Sequence, residues 1–161
     1  MKFNYYAFRA MYFHEMDRFK RTLMQSLFSP VLSTSLYFIV FGSVIGGYVE
    51  KIDGISYGSF IVPGLLMLTL LTQSISNTSF GIFFPKFNGT MYEILAAPIS
   101  TFEIVLAFVG AGATKTLIVG VVIFITSTFF VEVSVMYPFL MVFLLVLVAF
   151  TFALFGFLIG L

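Results

Sequence analysis

Long apolar runs alternate with short polar segments along the chain, and this alternation is its strongest pattern. A helix needs roughly 20 predominantly apolar residues to cross the hydrocarbon core of a bilayer. Four runs reach that length, at residues 27–47, 58–84, 102–131 and 137–161. The pattern predicts an all-α membrane protein with four membrane-spanning helices, which together form a transmembrane domain over residues 27–161.

Residues 1–26 show a different pattern, in which apolar and polar positions fall on opposite faces of a helix. The apolar face has the spacing of three and four residues that a helix requires, and it comprises Tyr5, Phe8, Tyr12, Met16, Phe19 and Leu23. The opposite face carries His14, Asp17, Arg18 and Arg21, with Asp17 and Arg21 spaced to pair. We predict an amphipathic helix in the plane of the lipid head groups. It either serves only as a lipid-surface anchor or also presents Arg18 and Arg21 to a soluble partner.

The polar loop at residues 85–101 contains signals for a second short helix. Asn88 and Gly89 favour a turn, Thr90 is suited to cap a helix start, and Pro98 is expected to end the helix after two turns. On such a helix Met91, Ile94 and Leu95 line one face, whereas Tyr92 and Glu93 point elsewhere. Two interpretations remain open: an ordinary interfacial loop, or a protrusion that inserts into a neighbouring protein.

The positions of lysine and arginine predict how the chain is oriented in the membrane. Five of these residues precede the first span, Lys86 lies between the second and third spans, and only Lys51 follows the first span. Cytoplasmic flanks of membrane helices retain positive charge. The N-terminus and the loop at residues 85–101 are therefore predicted to be cytoplasmic.

Composition supports a membrane location and excludes several functions. The chain of 161 residues is 60% hydrophobic and only 9% charged, with 23 phenylalanines, whereas soluble domains have about a quarter of their residues charged. A formal net charge of +1 gives no basic field for nucleic acid. The chain has no cysteine and a single histidine, His14, so no cysteine-ligated or histidine-cluster metal site is expected.

Several polar residues interrupt the apolar runs, and each has two interpretations. Thr69, Thr72, Gln73, Ser76 and Asn77 form a polar strip along the second span. This strip must face protein or water, either as interhelical hydrogen bonding or as the lining of a substrate path. Lys115 lies in the third run, where it is either near the membrane midplane with an acidic or carbonyl partner, or close enough to the boundary to extend into water.

Small residues at a spacing of four predict close contacts between helices. Gly42 and Gly46 have this spacing in the first span, and Gly112, Thr116 and Gly120 have it in the third. No phosphate-binding loop, metal motif or nucleophile beside a base is present, and Glu93 and Glu103 flank Pro98 too far apart in sequence to be assumed an acid–base pair. We therefore expect the chain not to be an enzyme.

Three segments in order along the chain together resemble the permease subunits of ABC-2 type exporters. They are RTLMQSLFSP at residues 21–30, FIVPGLLM at residues 60–67 and KFNGTMYEILAAP at residues 86–98. The resemblance extends from about residue 15 to the C-terminus. It implies a dimer of six-span permeases, identical or different, in the inner membrane, with two cytosolic ATPase subunits that bind ATP and magnesium.

The resemblance also implies roles for particular residues. The first amphipathic segment resembles the family's interface helix, and residues 88–98 resemble its coupling helix, with Glu93 at the acidic position. The ATPase would contact Arg18, Arg21, Thr90, Tyr92, Glu93, Leu95 and Pro98. ATP hydrolysis by the partner would then drive export of a polysaccharide, a lipid-linked molecule or a hydrophobic drug-like compound.

The sequence ends at Leu161, at the end of the fourth apolar run. The resemblance therefore implies a partial six-span fold, from either a truncated sequence or a degenerate relative, and these 161 residues alone are not expected to transport. The alternative function is a helical membrane scaffold or assembly subunit that does not transport.

Overall fold

The structure of the protein is a computed structural model that describes residues 3–45, 51–52, 55–131 and 135–161. Six α-helices account for most of these residues: α1 (Tyr5–Arg21), α2 (Leu23–Tyr37), α3 (Tyr57–Phe87), α4 (Thr90–Ala96), α5 (Thr101–Phe130) and α6 (Pro138–Gly160). The helical segments that contain α2, α3, α5 and α6 are long and apolar enough to cross a membrane. The predicted fold class, an all-α membrane protein with four spanning helices, is therefore confirmed.

The boundary between the N-terminal segment and the first span lies at Thr22 rather than at residue 26. Thr22 has a non-helical backbone, with φ −106° and ψ 15°, and separates α1 from α2. Its hydroxyl donates to the carbonyl oxygens of Arg18 and Phe19 at 3.2 and 3.4 Å. A threonine side chain that bonds the preceding turn competes with helical hydrogen bonding, which accounts for the interruption.

The first span combines two kinds of helix. After α2, which accommodates the buried Pro30 in its interior, the chain continues as a π-helix over Phe38–Ile45. Two-residue strands follow, β1 (Lys51–Ile52) and β2 (Ile55–Ser56), paired antiparallel. These strands form a small hairpin at the start of α3, at one end of the helical bundle.

The helices α3 and α5 are longer than a bilayer requires. They contain 31 and 30 residues, so each extends for roughly 45 Å at 1.5 Å per residue. The hydrocarbon core of a membrane is about 30 Å thick, so the surplus must be taken up by tilt or lie outside it. The C-terminus of α3 and the N-terminus of α5 flank α4, which therefore lies at one end of the bundle.

The helix α5 is at the centre of the bundle and contacts α1, α2, α3 and α6. One buried cluster includes Ile82, Ile104, Phe108, Ala153 and Phe157, and joins α3, α5 and α6. A second cluster toward the other end includes Leu66 and Leu70 of α3 with Val119 and Ile123 of α5. By contrast, most of the large apolar side chains of α6 point outward, as expected of a helix that faces lipid.

Glycines permit the closest contacts between the spanning helices. Gly112 and Gly120 of α5 lie against α3. A Cβ added at Gly112 would be 2.0 Å from Thr78 Oγ1, and one added at Gly120 would be 2.8 Å from Leu70 Cδ2. Gly156 of α6 lies even closer to the α3 main chain, because its Cβ would be 2.5 Å from the Ile75 carbonyl oxygen. The helices α3, α5 and α6 therefore pack at distances that only glycine allows at these positions.

Candidate functional site

The short helix α4 begins and ends at residues that the sequence marks as helix boundaries. Gly89 is its N-cap and has a left-handed backbone, with φ 79°, which glycine adopts without strain. Thr90 is the first residue of the helix and no side chain caps it, so the predicted capping role of Thr90 was wrong. The helix ends at Ala96, and the extended backbone of Ala97 leads into Pro98.

One face of α4 is anchored to the bundle and the other is exposed. Met91 and Ile94 are half-buried and pack against the buried cluster of α3, α5 and α6. Tyr92 and Leu95 are 77% and 63% exposed, and Glu93 is also exposed. Leu95 was predicted to share the face of Met91 and Ile94, but it lies on the exposed face with Tyr92 and Glu93. Only Met91 and Ile94 reach the buried cluster.

The start of α5 is fixed by a reciprocal cap that also holds α1. The Ser100 hydroxyl accepts from the Glu103 backbone N–H at 3.3 Å, and the Glu103 carboxylate accepts from the Ser100 N–H at 2.8 Å. The same carboxylate accepts from the backbone N–H of Asn4, just before α1. Since Ser100 follows α4 by four residues, the start of α1 lies at the same end of the bundle as α4.

The helix α1 runs alongside the first half of α5 in the same direction. Asn4 contacts Glu103, Tyr12 Oη donates to Thr114 Oγ1 at 2.9 Å, and Lys115 Nζ donates to Glu15 Oε2 at 2.8 Å. The step of 11 residues from Asn4 to Glu15 thus runs beside the step of 12 residues from Glu103 to Lys115. The lipid-anchor interpretation alone does not account for these contacts, because α1 is an integral part of the bundle.

Two buried charges, Glu15 and Lys115, form an ion-pair cluster with Arg18, whose side chain is 30% exposed. Glu15 Oε2 accepts from Lys115 Nζ at 2.8 Å and from Arg18 Nη2 at 2.9 Å. Glu15 and Lys115 are each 3% exposed. Lys115 therefore has the acidic partner that the first of its two predicted placements requires, and its ammonium does not extend into water.

Two side chains of the polar face of α1 have ion-pair partners that were not predicted. Arg18, which the resemblance assigns to the ATPase contact, pairs with the buried Glu15 but stays 30% exposed, so that assignment remains a prediction. Asp17 pairs with Lys20 at 3.0 Å rather than with Arg21, whose Nε is 3.5 Å from the Asp17 carbonyl oxygen. Arg21 itself remains exposed at the end of α1.

The residues of the predicted polar strip of α3 do not share one set of hydrogen-bond partners. Thr69 and Thr72 donate to carbonyl oxygens of their own helix, at Leu65 and Leu68. Among the described residues, the strip makes one hydrogen bond to another helix, in which Asn77 Nδ2 donates to Thr116 Oγ1 of α5 at 3.4 Å. The half-buried Gln73 and the exposed Ser76 make no side-chain hydrogen bond to a described residue.

Two buried hydroxyls of α3 were not identified from the sequence. Ser74 Oγ donates to the carbonyl oxygen of Ala149 at 2.6 Å and thereby joins α3 to α6. Thr78 Oγ1 is buried directly over Gly112 and has no hydrogen-bond partner among the described residues. Both positions follow the helical spacing of Leu66 and Leu70, which was the available signal that this face of α3 is the buried one.

A cavity of about 400 Å³ opens between α1, α2, α3 and α5, beside the ion-pair cluster. Its lining comprises Arg18, Phe19, Thr22, Gln25, Ser26, Ser76, Asn77, Phe80, Phe84 and Lys115. Part of the predicted strip, Ser76 and Asn77, thus meets part of the predicted partner surface, Arg18.

Of the glycines predicted to allow close helix contacts in the first span, Gly42 belongs to the π-helical segment and Gly46 lies outside the described residues.

Comparison with known proteins gives consistent matches along the chain. The ABC-2 type transporter family matches residues 6–161. The inner membrane transport permease YadH of Escherichia coli K12 is 38% identical over 154 residues, which are 96% of this chain and 60% of that protein. The YadH proteins of E. coli O157:H7 and Shigella flexneri show the same identity and coverage.

The chain thus spans about three fifths of the length of the curated relatives it matches. No solved structure matches it. The family match begins at the start of α1 and continues through α6, and it includes the loop that forms α4. The chain therefore belongs to the ABC-2 type transporter family.

Proposed function

We propose that this chain forms the membrane-embedded part of an inner-membrane exporter and that a separate cytosolic ATPase acts on it through α4. In this proposal the ATPase binds ATP and magnesium, and a second permease subunit, identical or different, completes the pathway. The substrate is a polysaccharide, a lipid-linked molecule or a hydrophobic drug-like compound. Family membership supports the proposal, as does the 38% identity to proteins named inner membrane transport permease.

The observation that carries the proposal is the division of α4 into an anchored face and an exposed face. A helix of seven residues is unstable alone in water, so its contacts with the bundle through Met91 and Ile94 must hold it. Tyr92 and Leu95 remain exposed. Tyrosine is enriched among the residues that anchor protein interfaces, and burial of the apolar Leu95 side chain against a partner would also be favourable. The exposed face is therefore suited to a protein partner rather than to the bundle.

The connections of α4 are short enough to transmit a displacement to the spanning helices. Two residues join it to α3, and four residues join it to α5. The Ser100–Glu103 cap stiffens the α5 side, and Glu103 also holds the start of α1. A force applied to Tyr92 or Leu95 would therefore move α1, α3 and α5 together, as coupling to an ATPase requires.

We expect substitutions on the exposed face of α4 to weaken ATPase binding without unfolding the chain. Tyr92→Ala or Leu95→Asp should each weaken the affinity of the full-length permease for its cognate ATPase by about tenfold or more, as is typical of interface anchors. The measurement is co-purification followed by a titration of the ATPase on detergent-solubilised permease. Stimulated ATP hydrolysis should decline in parallel.

Tyr137→Ala is the matched control, because Tyr137 is 64% exposed but lies at the opposite end of the bundle, before α6. It should leave ATPase affinity unchanged. Equal affinity of the Tyr92→Ala, Leu95→Asp and parent proteins, with all three folded, would contradict the proposal that α4 is the contact.

The proposal also requires that α4 face the cytosol. This chain has no cysteine, so single cysteines can be introduced into it as accessibility probes. Asn88→Cys should react with a membrane-impermeant maleimide only after cells are permeabilised, whereas Met136→Cys, at the other end of the bundle, should react in intact cells. Labelling of Asn88→Cys from outside would place α4 away from any cytosolic ATPase.

A further inference from the structure

The ion-pair cluster beside the cavity carries an excess positive charge. Arg18 and Lys115 both donate to the same oxygen of Glu15, at 2.9 and 2.8 Å. Two cations thus share one carboxylate, which leaves a formal charge of about +1, and the Arg18 side chain, which is 30% exposed, lines the cavity. This unbalanced charge attracts an anion into the cavity, because an interaction between charges is stronger beside apolar protein and lipid than in open water.

The carboxylates that lie nearest in sequence or along α5 are engaged elsewhere. Asp17 pairs with the exposed Lys20, and Glu103 accepts from the backbone N–H groups of Asn4 and Ser100. Within the part of the chain that the structure describes, Arg18 and Lys115 form an ion pair with no other carboxylate than that of Glu15. The missing negative charge is therefore not supplied by these residues.

Both cations line the cavity and retain free donors. A guanidinium has five N–H donors and an ammonium has three, and each group uses one on Glu15. The cavity is also lined by Gln25, Ser26 and Ser76, whose side chains make no hydrogen bond to a described residue. The cavity thus presents positive charge and several unused polar groups to the same space.

Another part of the lining is aromatic and leads to the outer surface of α3. Phe80 and Phe84 line the cavity and are 63% and 53% exposed, one turn apart on the helix. In a bilayer an exposed aromatic surface on a spanning helix contacts acyl chains. An occupant that satisfies both parts of the lining needs an anionic head and an apolar tail, which inorganic phosphate lacks.

We infer that this cavity binds the phosphate of an anionic membrane phospholipid, with Arg18 and Lys115 holding the phosphate and Phe80 and Phe84 contacting the acyl chain. Its volume of about 400 Å³ is within the range of small-ligand sites, roughly 300–1,000 Å³. Basic pockets between spanning helices are a known way of binding lipid head groups. The bound lipid would neutralise the ion-pair cluster and tie α1 to α3 and α5, and the inference does not depend on whether α4 binds an ATPase.

The test compares lipid binding by variants of the full-length protein in detergent, without any ATPase. Arg18→Gln should weaken the affinity for phosphatidylglycerol, measured by native mass spectrometry or fluorescent-lipid titration, by about tenfold or more. Binding of phosphatidylcholine should not change, because its head group has no net charge. Lys20→Gln is the matched control, since it removes one positive charge from an exposed position of the same helix outside the cavity.

A second variant tests the cavity without altering its charge. Ser76→Phe places a large side chain in the lining and should also abolish the preference for phosphatidylglycerol, so the inference remains testable if Arg18→Gln does not fold. The inference would be overturned if Arg18→Gln and Lys20→Gln lost equal affinity for phosphatidylglycerol, or if Ser76→Phe bound this lipid as well as the parent protein does. If the parent protein showed no preference for phosphatidylglycerol, the inference would be overturned as well. That result is expected if another helix fills the cavity.

Inorganic phosphate is included as a competitor to distinguish the two sources of the same chemistry. It should displace phosphatidylglycerol only at concentrations at least about a hundredfold higher, because it makes no contact with the aromatic wall. Displacement at comparable concentrations would show a site for soluble phosphate and would refute a lipid ligand.

Discussion

Glu15→Gln should destabilise the protein more than any other single replacement in the ion-pair cluster. The substitution keeps the size of the side chain but removes the only carboxylate that pairs with Lys115 and Arg18 among the described residues. Removing one partner of a buried ion pair typically lowers the free energy of unfolding by about 3–5 kcal/mol, because the other charge is left unpaired. Lys115, at 3% exposure, cannot reach water to compensate.

The sharing of one carboxylate by two cations predicts an asymmetry. In Lys115→Met, Glu15 keeps its 2.9 Å bond to Arg18, so no charge is left unpaired. The free energy of unfolding should therefore fall by less than about 3 kcal/mol, which is the upper end of the range for one hydrogen bond to a charged group. The double variant Glu15→Gln with Lys115→Met should be more stable than the sum of the single effects implies, by a coupling energy of about 0.5–3 kcal/mol.

These values can be measured by unfolding in mixed micelles of dodecyl sulfate and a mild detergent, with helicity followed by circular dichroism. Asp17→Asn is the matched control, because it removes a carboxylate from the same helix whose pair with Lys20 is exposed, and it should change stability by at most about 1 kcal/mol. A Glu15→Gln protein as stable as Asp17→Asn would show that the buried pairing contributes little to folding.

The four spans and α4 could be read from the sequence because their signals are local. Apolar runs fix the spans, and the turn at Gly89 and the proline at residue 98 bound α4. The break at Thr22 could not be placed in the same way, because the apolar spacing continues across it to Leu23. A single side chain that bonds the preceding turn decided that boundary, and hydrophobic patterns do not register such bonds.

The partner of Lys115 depends on a contact between residues 100 positions apart, and no spacing rule gives such a pairing. A partial signal was nevertheless present. Glu15 follows Tyr12 by three residues and precedes Phe19 by four, so it lies on the apolar face of α1 rather than on the polar one. A carboxylate on that face needs a cation from another element, and Lys115 is the lysine within the apolar part of α5.

The glycine contacts show the same limit of sequence reasoning. Gly156 and Gly160 have the spacing of four that was used to interpret Gly112 and Gly120, yet they were not singled out in the apolar final run. In the structure both lie against the main chain of α3. Spacing indicates that a helix face permits close approach, but only the packed bundle shows which neighbour uses it.

Gly156→Ala should separate α3 from α6 and lower stability strongly, although alanine is the better helix former. The new Cβ would lie 2.5 Å from the Ile75 carbonyl oxygen and 2.9 Å from the Ile75 Cα, and main-chain atoms cannot move aside as a flexible side chain can. Overpacking of this kind typically destabilises by about 1–3 kcal/mol, and occasionally more. The shift would also strain the nearby hydrogen bond from Ser74 to Ala149.

Gly64→Ala is the matched control, because Gly64 also lies within a spanning helix but an added Cβ there meets nothing within 4 Å. It should leave stability unchanged or raise it by up to about 1 kcal/mol through helix propensity. Of the two identical substitutions, only the one at Gly156 is thus expected to lower the stability, as measured by thermal unfolding in detergent. If Gly156→Ala were as stable as Gly64→Ala, α3 and α6 could not be in the close main-chain contact from which the position of α6 on the bundle follows.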